Sequence, residues 1–339
     1  MFRLLLYHEN RTEGDKMSIK DEILAILERN QSQHLSGQKI ADELGVSRTA
    51  VWKAINTLKE AGYQISSVSN AGYKLMEATD SLNAAAIKPL LKYPIKVETF
   101  QTIDSTNAEA KRQLNDNPDQ LLLVLAEAQE KGRGRLGRTF YSPSRNGIYM
   151  SMTLPHLKPA TDATLVTTAA AVAVCRAIED LTNLTPQIKW VNDIYLDDKK
   201  ICGILTEGII SMETQTIQSI ILGIGINVTM DPELPAELKD IVGALFETES
   251  PVSRNELAAS IINHFFIIYE TMDTRDYLEE YRKRCFVLGK RISFNRNKET
   301  LFGTATGIDN TGALEIQCED GTETKISYGE ISIKWRNNE

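Results

Sequence analysis

The sequence predicts an α+β multidomain protein: an N-terminal winged helix-turn-helix, a central mixed-sheet domain and a small C-terminal β-barrel. Three observations predict it. Residues 18–61 carry helical periodicity with a serine cap and a glycine stop; strand-like and helix-like runs alternate from about residue 95 to 286; short β-rich runs joined by turn residues follow from 289 to 335. The expected boundaries are a disordered extension over residues 1–16, the winged helix-turn-helix over 17–79, the central domain over 80–286 and the C-terminal β domain over 287–339.

In the N-terminal segment, residues 18–28 place Ile19, Ile23, Ile26 and Leu27 on one face, with Asp21 and Glu22 in the first turn, where the helix dipole favours them. A second helix begins after Ser36 and stops at Gly45. Ser47 caps a third, running to about Ala61, with Val51, Ile55 and Leu58 facing inward. Arg48, Thr49, Trp52, Lys53 and Asn56 remain on or near the other face. Helix, glycine turn and capped helix is the arrangement whose second helix enters the DNA major groove. Ser47, Arg48, Thr49, Trp52, Lys53 and Asn56 are therefore the candidate DNA-binding residues. Residues 63–68 and 72–75 flank a turn and read as the wing. A single module binds weakly, because affinity grows with phosphate contacts, so two half-sites and a dimer are expected.

Residues 77–83 are polar and read as a linker. Beyond them the predicted strands cover residues 95–100, 121–128, 148–154, 188–190, 201–207 and 216–228, and the predicted helices 107–114, 162–181, 253–269 and 275–285. The alanines between Thr167 and Ala173 suit a helix packed closely on a sheet. In the last segment Asp309-Asn-Thr-Gly312 and Glu319-Asp-Gly321 are turn signals between β-rich runs.

Composition bounds the function. The chain has 339 residues with a net charge of −8, so as a whole it is not built to coat nucleic acid. The charge is uneven: residues 18–75 hold seven Lys/Arg against six Asp/Glu, a near-neutral head on an acidic body. The four cysteines have neither metal-ligand nor disulfide-framework spacing and read as free thiols in a reducing cytoplasm. No protein metal site is expected from the scattered histidines. No apolar run reaches the roughly 18 residues of a membrane span, so no membrane partner is expected.

The chemistry concentrates in the central segment. Lys131 to Arg138 holds four cations and three glycines without a carboxylate. Glycine lets backbone approach a ligand and arginine presents a planar fork to phosphate or carboxylate, so this loop can wrap an anion. Gly132, Gly134 and Gly137 spell the dinucleotide fingerprint, but no helix follows and no acid lies between Leu136 and His156, which excludes that reading. Asp104-Ser-Thr-Asn107 gathers short polar side chains at a strand-to-helix junction, where they can cap the helix, bind a ligand, or both. Lys189-Trp-Val-Asn-Asp193 and Lys199-Lys-Ile-Cys-Gly203 form a hairpin pair turning at Asp197-Asp198, and Gly223-Ile-Gly-Ile-Asn227 marks close approach within an apolar strand. No Ser/His/Asp arrangement or Walker loop is present. Arginines, lysines, amides and hydroxyls suit stabilising a transferring phosphate.

Taken in order behind a helix-turn-helix, these five motifs resemble the bifunctional biotin–protein ligase and biotin operon repressor family over about residues 18–335. The resemblance implies a central domain of the biotin/lipoate ligase type and an SH3-like C-terminal barrel. It implies that biotin carboxylate attacks the α-phosphate of ATP, carried with Mg2+, to give biotinyl-5′-AMP and pyrophosphate. A lysine of a biotin carboxyl carrier domain then takes the biotinyl group. It assigns biotin binding to Ser105, Thr106, Asn107, Gln129, Gly132, Arg133, Gly134, Arg135, Lys200 and Gly203. Nucleotide binding falls to Arg133, Arg135, Arg138, Phe140, Lys189, Asn192 and Asn227, and the catalytic roles to Arg135, Lys200 and Asp193. Operator DNA, and a homodimer formed when the adenylate is loaded, are the further implied partners, and the cytoplasm the implied location. Two residues depart from the family pattern: Val191 stands where proline is common, and Phe140 where tryptophan often lies beside adenine. A repressor that senses its ligand without ligating, or a lipoate–protein ligase on the same central fold, are the rival expectations. The acceptor-lysine carboxylate Asp193 speaks against the first. The helix-turn-helix and the arginine-rich loop speak against the second.

Overall fold

The computed structural model describes residues 18–30, 33–60, 63, 65–68, 71–75, 80–155, 163–210, 217–296 and 299–333. The expected extension over residues 1–16 and part of the linker lie outside them. The chain divides into two compact units, Met1–Pro94 and Ile95–Glu339.

The first unit is built on three helices, α1 (Ile19–Arg29), α2 (Gly37–Leu44) and α3 (Arg48–Glu60). Ser36 caps α2 by accepting from Lys39 N, and Gly45 ends it at φ 66°, the left-handed conformation glycine adopts without strain. Ser47 accepts from Ala50 N and starts α3. Ile23, Leu24, Ile26, Leu27, Ile40, Val51, Ile55 and Leu58 form one buried cluster. Ile19 was expected in that core but is 40% exposed, and Leu24 takes its place; at the first residue of α1 there is no preceding turn to cover it. A hairpin of β1 (Ile65–Val68) and β2 (Gly72–Leu75) follows, and Leu35 exchanges backbone hydrogen bonds with Tyr73. A side chain on Gly72 would strike the Leu35 carbonyl, so glycine is required there. The short helix α4 (Ala84–Ile87), capped by Asn83, packs on α1 and belongs to this unit.

The second unit is organised by a seven-stranded mixed sheet. Its strands are β3 (Lys96–Ile103), β4 (Leu122–Gln129), β5 (Gly147–Pro155), β6 (Gln187–Lys189), β7 (Asp193–Leu196), β8 (Lys199–Ile210) and β9 (Ile217–Asn227). They lie in the order β3-β4-β5-β9-β8-β7-β6. Only the β3–β4 pair is parallel; it is linked by α5 (Thr106–Asp116). The long α6 (Ala163–Leu181) is almost wholly buried and packs against α7 (Arg254–Glu270) and α8 (Tyr277–Arg284). Thr206 on β8 is 2.7 Å from Thr167 on α6, while its neighbour Glu207 bonds Asn107 on α5. Successive strand side chains point to opposite faces, so α5 and α6 cover opposite sides of the sheet. Arg254 and Glu127, each 3% exposed, form a two-pronged buried ion pair, and Arg254 also donates to the Gly147 carbonyl. Leaving either charge alone there would cost several kcal/mol.

The last strands are β10 (Arg291–Arg296), β11 (Glu299–Ile308), β12 (Leu314–Cys318), β13 (Glu323–Ile326) and β14 (Ile331–Ile333), in the order β13-β12-β11-β10-β14. The expected barrel is not found: among the described residues this antiparallel sheet is open, with β13 and β14 as its edges. Strand patterning supplies inward and outward faces, but closure needs two edge strands to pair. It is fastened to the mixed-sheet layer by Trp190 Nε1 donating to the Gly312 carbonyl and by Arg282 donating to the Ile308 carbonyl.

Candidate active site

On the α5 side of the mixed sheet lies an open cleft. Ser105, Thr106, Asn107, Gln129, Arg133, Gly134, Arg135, Phe140, Asn192, Lys200 and Gly203 line it, together with Met150, Ile204, Leu205, Gly223, Ile224 and Gly225. Eleven of the sequence-predicted site residues thus meet in one place. Two elements make the floor. Gly203 on β8 is opposite Gly225 on β9, and Phe140 rests on both. A β-carbon at Gly225 would come within 2.6 Å of the Phe140 ring, and one at Gly223 would collide with the Asn107 amide. The glycines of β9 therefore make room for one polar and one aromatic side chain. Tyr149 meets Phe140 edge-on at 6.3 Å.

At one end the polar side chains are tied together. Gln129 Oε1 accepts from Thr106 N at 2.9 Å and from the Thr106 hydroxyl at 3.1 Å, while its Nε2 donates to Ser142 at 2.9 Å. Ser142 in turn donates to the Phe140 carbonyl. Ser151 Oγ sits 2.7 Å from Thr106 Oγ1 and 2.5 Å from Asn107 Oδ1, and Asn107 Nδ2 donates to Glu207 at 2.6 Å. Ser105 precedes α5 without a side-chain capping bond, so its hydroxyl is not used by the helix. Ser142, Ser151 and Glu207 were missed by sequence reasoning. For Ser151 and Glu207 the available signal was a hydroxyl or carboxylate inside otherwise apolar strand runs; Ser142, in the loop before β5, carried none.

At the other end the cations gather. The arginine-glycine loop is a tight return in which Phe140 N donates to Gly132 O and Gly134 N to Arg138 O. Its root is anchored by Lys131 N on the Asp104 carbonyl. A side chain on Gly132 would collide with the Phe140 carbonyl. Arg135 donates to Asn192 Oδ1 at 2.9 Å, and Asn192 donates to the Ile204 carbonyl. Lys200 Nζ lies 2.7 Å from Asp193 Oδ1, but without the alignment of a hydrogen bond, so that oxygen has a charge partner and no directed donor. Arg112 grips Asp104 with two hydrogen bonds, which holds its carboxyl at about 2. Burial pushes the Lys189 ammonium below its ordinary value, with Lys200 acting in the same direction and Asp193 opposing.

Five predicted residues lie off the cleft wall: Gly132 at the loop root, Arg138, which pairs with Glu330 at 2.6 Å, Asp193 behind Lys200, Lys189 over the Tyr195 ring, and Asn227, whose amide donates to the Gly243 carbonyl. In the first unit Ser47, Arg48, Thr49, Trp52 and Lys53 are exposed, Asn56 is half-buried, and Trp52 is 55% exposed. Lys59 bonds Ser67 on the hairpin.

Comparison with known proteins agrees with this division. Residues 20–74 match an HTH domain, 99–227 the Biotin/lipoate A/B protein ligase family and 287–334 the Biotin protein ligase C terminal domain. The chain is 32% identical to the bifunctional ligase/repressor BirA of Bacillus subtilis, over 94% of this chain and 99% of that one. It belongs to the bifunctional biotin ligase/repressor family. The Escherichia coli BirA is 30% identical over 88% of this chain and 92% of its own. Biotin protein ligase from Aquifex aeolicus, solved in complex with biotin and ATP, superposes with a TM-score of 0.59 at 26% identity, covering 70% of this chain and 98% of that one.

Proposed function

We infer that this protein activates biotin with ATP to biotinyl-5′-AMP, transfers the biotinyl group to a lysine of a biotin carboxyl carrier domain, and represses transcription through its N-terminal unit. The observation that carries the chemical half is the cleft itself. Arg133, Arg135 and Lys200 share one wall set with the Thr106–Gln129 network, so a polar ring and an anionic tail can be held together.

Activation brings a carboxylate against a triphosphate, two anions that repel. In a partly dry cleft each cation offsets that repulsion by more than it would in water. The carboxylate oxygen bonds to the α-phosphorus as the bond to the β-phosphate breaks, and pyrophosphate leaves. Mg2+ arrives on the triphosphate, an ion that keeps its waters and takes ligands largely from phosphate; the cleft wall supplies cations rather than a carboxylate cage. When the anions arrive, Lys200 turns from Asp193 toward them and releases that carboxylate. The incoming lysine has a pKa of roughly 10.4, so only on the order of one in a thousand is neutral at pH 7. Asp193 then orients that amine and takes its proton as the nitrogen bonds to the carbonyl carbon and AMP departs. Phe140, packed against Gly203 and Gly225, offers the adenine a ring to stack on.

For the repressor half, α3 presents Arg48, Thr49, Trp52 and Lys53 outward, and the β1–β2 hairpin serves as the wing on operator DNA. Loading with the adenylate orders the arginine-glycine loop and favours a homodimer, as two half-sites require. The open C-terminal sheet stands in place of the SH3-like barrel, and the protein works in the cytoplasm. The chemical half is tested by pyrophosphate release: it should require biotin and MgATP together and stop after one equivalent in the absence of acceptor. Release that ignores biotin would overturn the assignment, and biotin bound without any release would leave a sensor that does not ligate.

A further inference from the structure

We propose that Glu207, acting through Asn107 and Ser151, fixes the hydrogen-bond polarity of Thr106 and thereby makes the cleft select a ring that presents N–H donors. The inference rests on reading the cleft as the biotin site; neither Glu207 nor Ser151 lines it.

The argument is one of counting protons. Glu207 Oε2 lies 2.6 Å from Asn107 Nδ2, and a carboxylate only accepts, so the amide nitrogen must face it. Asn107 Oδ1 then faces Ser151 Oγ at 2.5 Å and needs that hydroxyl's proton. Ser151 has one proton. Its 2.7 Å contact with Thr106 Oγ1 must therefore draw on the Thr106 proton, which Ser151 Oγ shares with Gln129 Oε1 at 3.1 Å. At the far end of the chain the Phe140 carbonyl, again only an acceptor, takes the Ser142 proton at 2.9 Å and so directs Gln129 Nε2 to Ser142. With both ends acceptor-only, the Thr106 proton is used inside the protein. What Thr106 shows to the cleft is a lone pair, which a ureido N–H can satisfy and a ring oxygen cannot. Gly223 keeps Asn107 seated, since a β-carbon there would strike its amide.

Glutamine at position 207 removes the constraint, because its own amide can donate. Asn107 can then turn, presenting nitrogen to Ser151, and the Ser151 proton swings onto Thr106 and occupies the lone pair. Glu207 is thus a positioning residue whose effect is read in ligand selectivity. The experiment is calorimetric titration of the full chain with biotin and with the two cyclic carbamates in which one or the other ureido N–H is oxygen, for wild type and Glu207→Gln. Wild type should prefer biotin over at least one carbamate. In Glu207→Gln, biotin should weaken by up to about tenfold, the size of one hydrogen bond between neutral groups, while that carbamate weakens far less, so the selectivity ratio falls. Ser151→Ala should lower the same ratio, and the double variant should fall short of the sum of the two. If thermal melting shows Glu207→Gln unfolded, Ser151→Ala carries the ratio test by itself. Equal weakening of all three ligands, or an unchanged ratio, overturns the proposal. A wild type that binds neither biotin nor carbamate overturns it together with the reading of the cleft, which separates the two failures.

Discussion

Lys200 and Asp193 face each other at 2.7 Å, and a charge pair at the edge of a cleft is poised to be exchanged when an anion enters. Arg135 is held differently, by the neutral Asn192 amide, so its guanidinium keeps its charge available for the ligand. Arg135→Ala should therefore speed dissociation of the adenylate by about 10- to 100-fold, as for loss of a charge-assisted hydrogen bond. Stopped-flow displacement of the intermediate checks this; unchanged retention would remove the loop from phosphate binding. Asp104 gives a pH signature. Its carboxyl titrates at about 2 in the folded chain against 3.8 ordinarily, first because Arg112 hydrogen-bonds it. A depressed folded pKa adds stability that is complete above 3.8 and is lost as pH falls toward 2. Arg112→Ala should thus flatten the acid end of a melting-temperature profile and leave little pH dependence from this group between those values. The side chains are well exposed, so the effect is small.

At the scale of elements, local signals were the readable ones. The Ser36 cap, the Gly45 stop and the Val51, Ile55 and Leu58 stripe define the first unit's helices because each depends on neighbours three or four residues away. The glycines of β9 marked a close approach, since an apolar strand tolerates them only where something needs the space. What could not be read was non-local. Strand order, the choice between open sheet and barrel, and the partners of Ser151 and Glu207 depend on residues 44 and 100 positions away. β7, Asp193–Leu196, was legible only as one arm of the hairpin turning at Asp197-Asp198, because four residues show too little alternation to be read as a strand by themselves. Ser105 misleads in the other direction: its sequence context suits a cap, yet its hydroxyl makes no capping bond. The exposed face of α3 yields a separable prediction. Arg48→Ala should weaken operator binding by roughly 1–3 kcal/mol and leave ligation unchanged, measured by electrophoretic mobility shift and carrier labelling side by side. Loss of both together would contradict the division of labour between the units.

For the molecule as a whole, an acidic chain with a near-neutral head must bind DNA through a small surface, so doubling that surface matters more than strengthening it. Sedimentation with biotin and MgATP should show a dimer at concentrations where apo protein and biotin-loaded protein remain monomeric. A dimer formed equally without ligand would detach assembly from the adenylate. The central claim, however, is that this cleft makes an acyl adenylate and hands it to a lysine. Its most direct test is mass spectrometry of an apo biotin carboxyl carrier domain after incubation with the protein, biotin and MgATP. The account predicts one biotinyl-sized increment on a single lysine, absent without ATP. An unmodified carrier domain beside tightly bound biotin would contradict it.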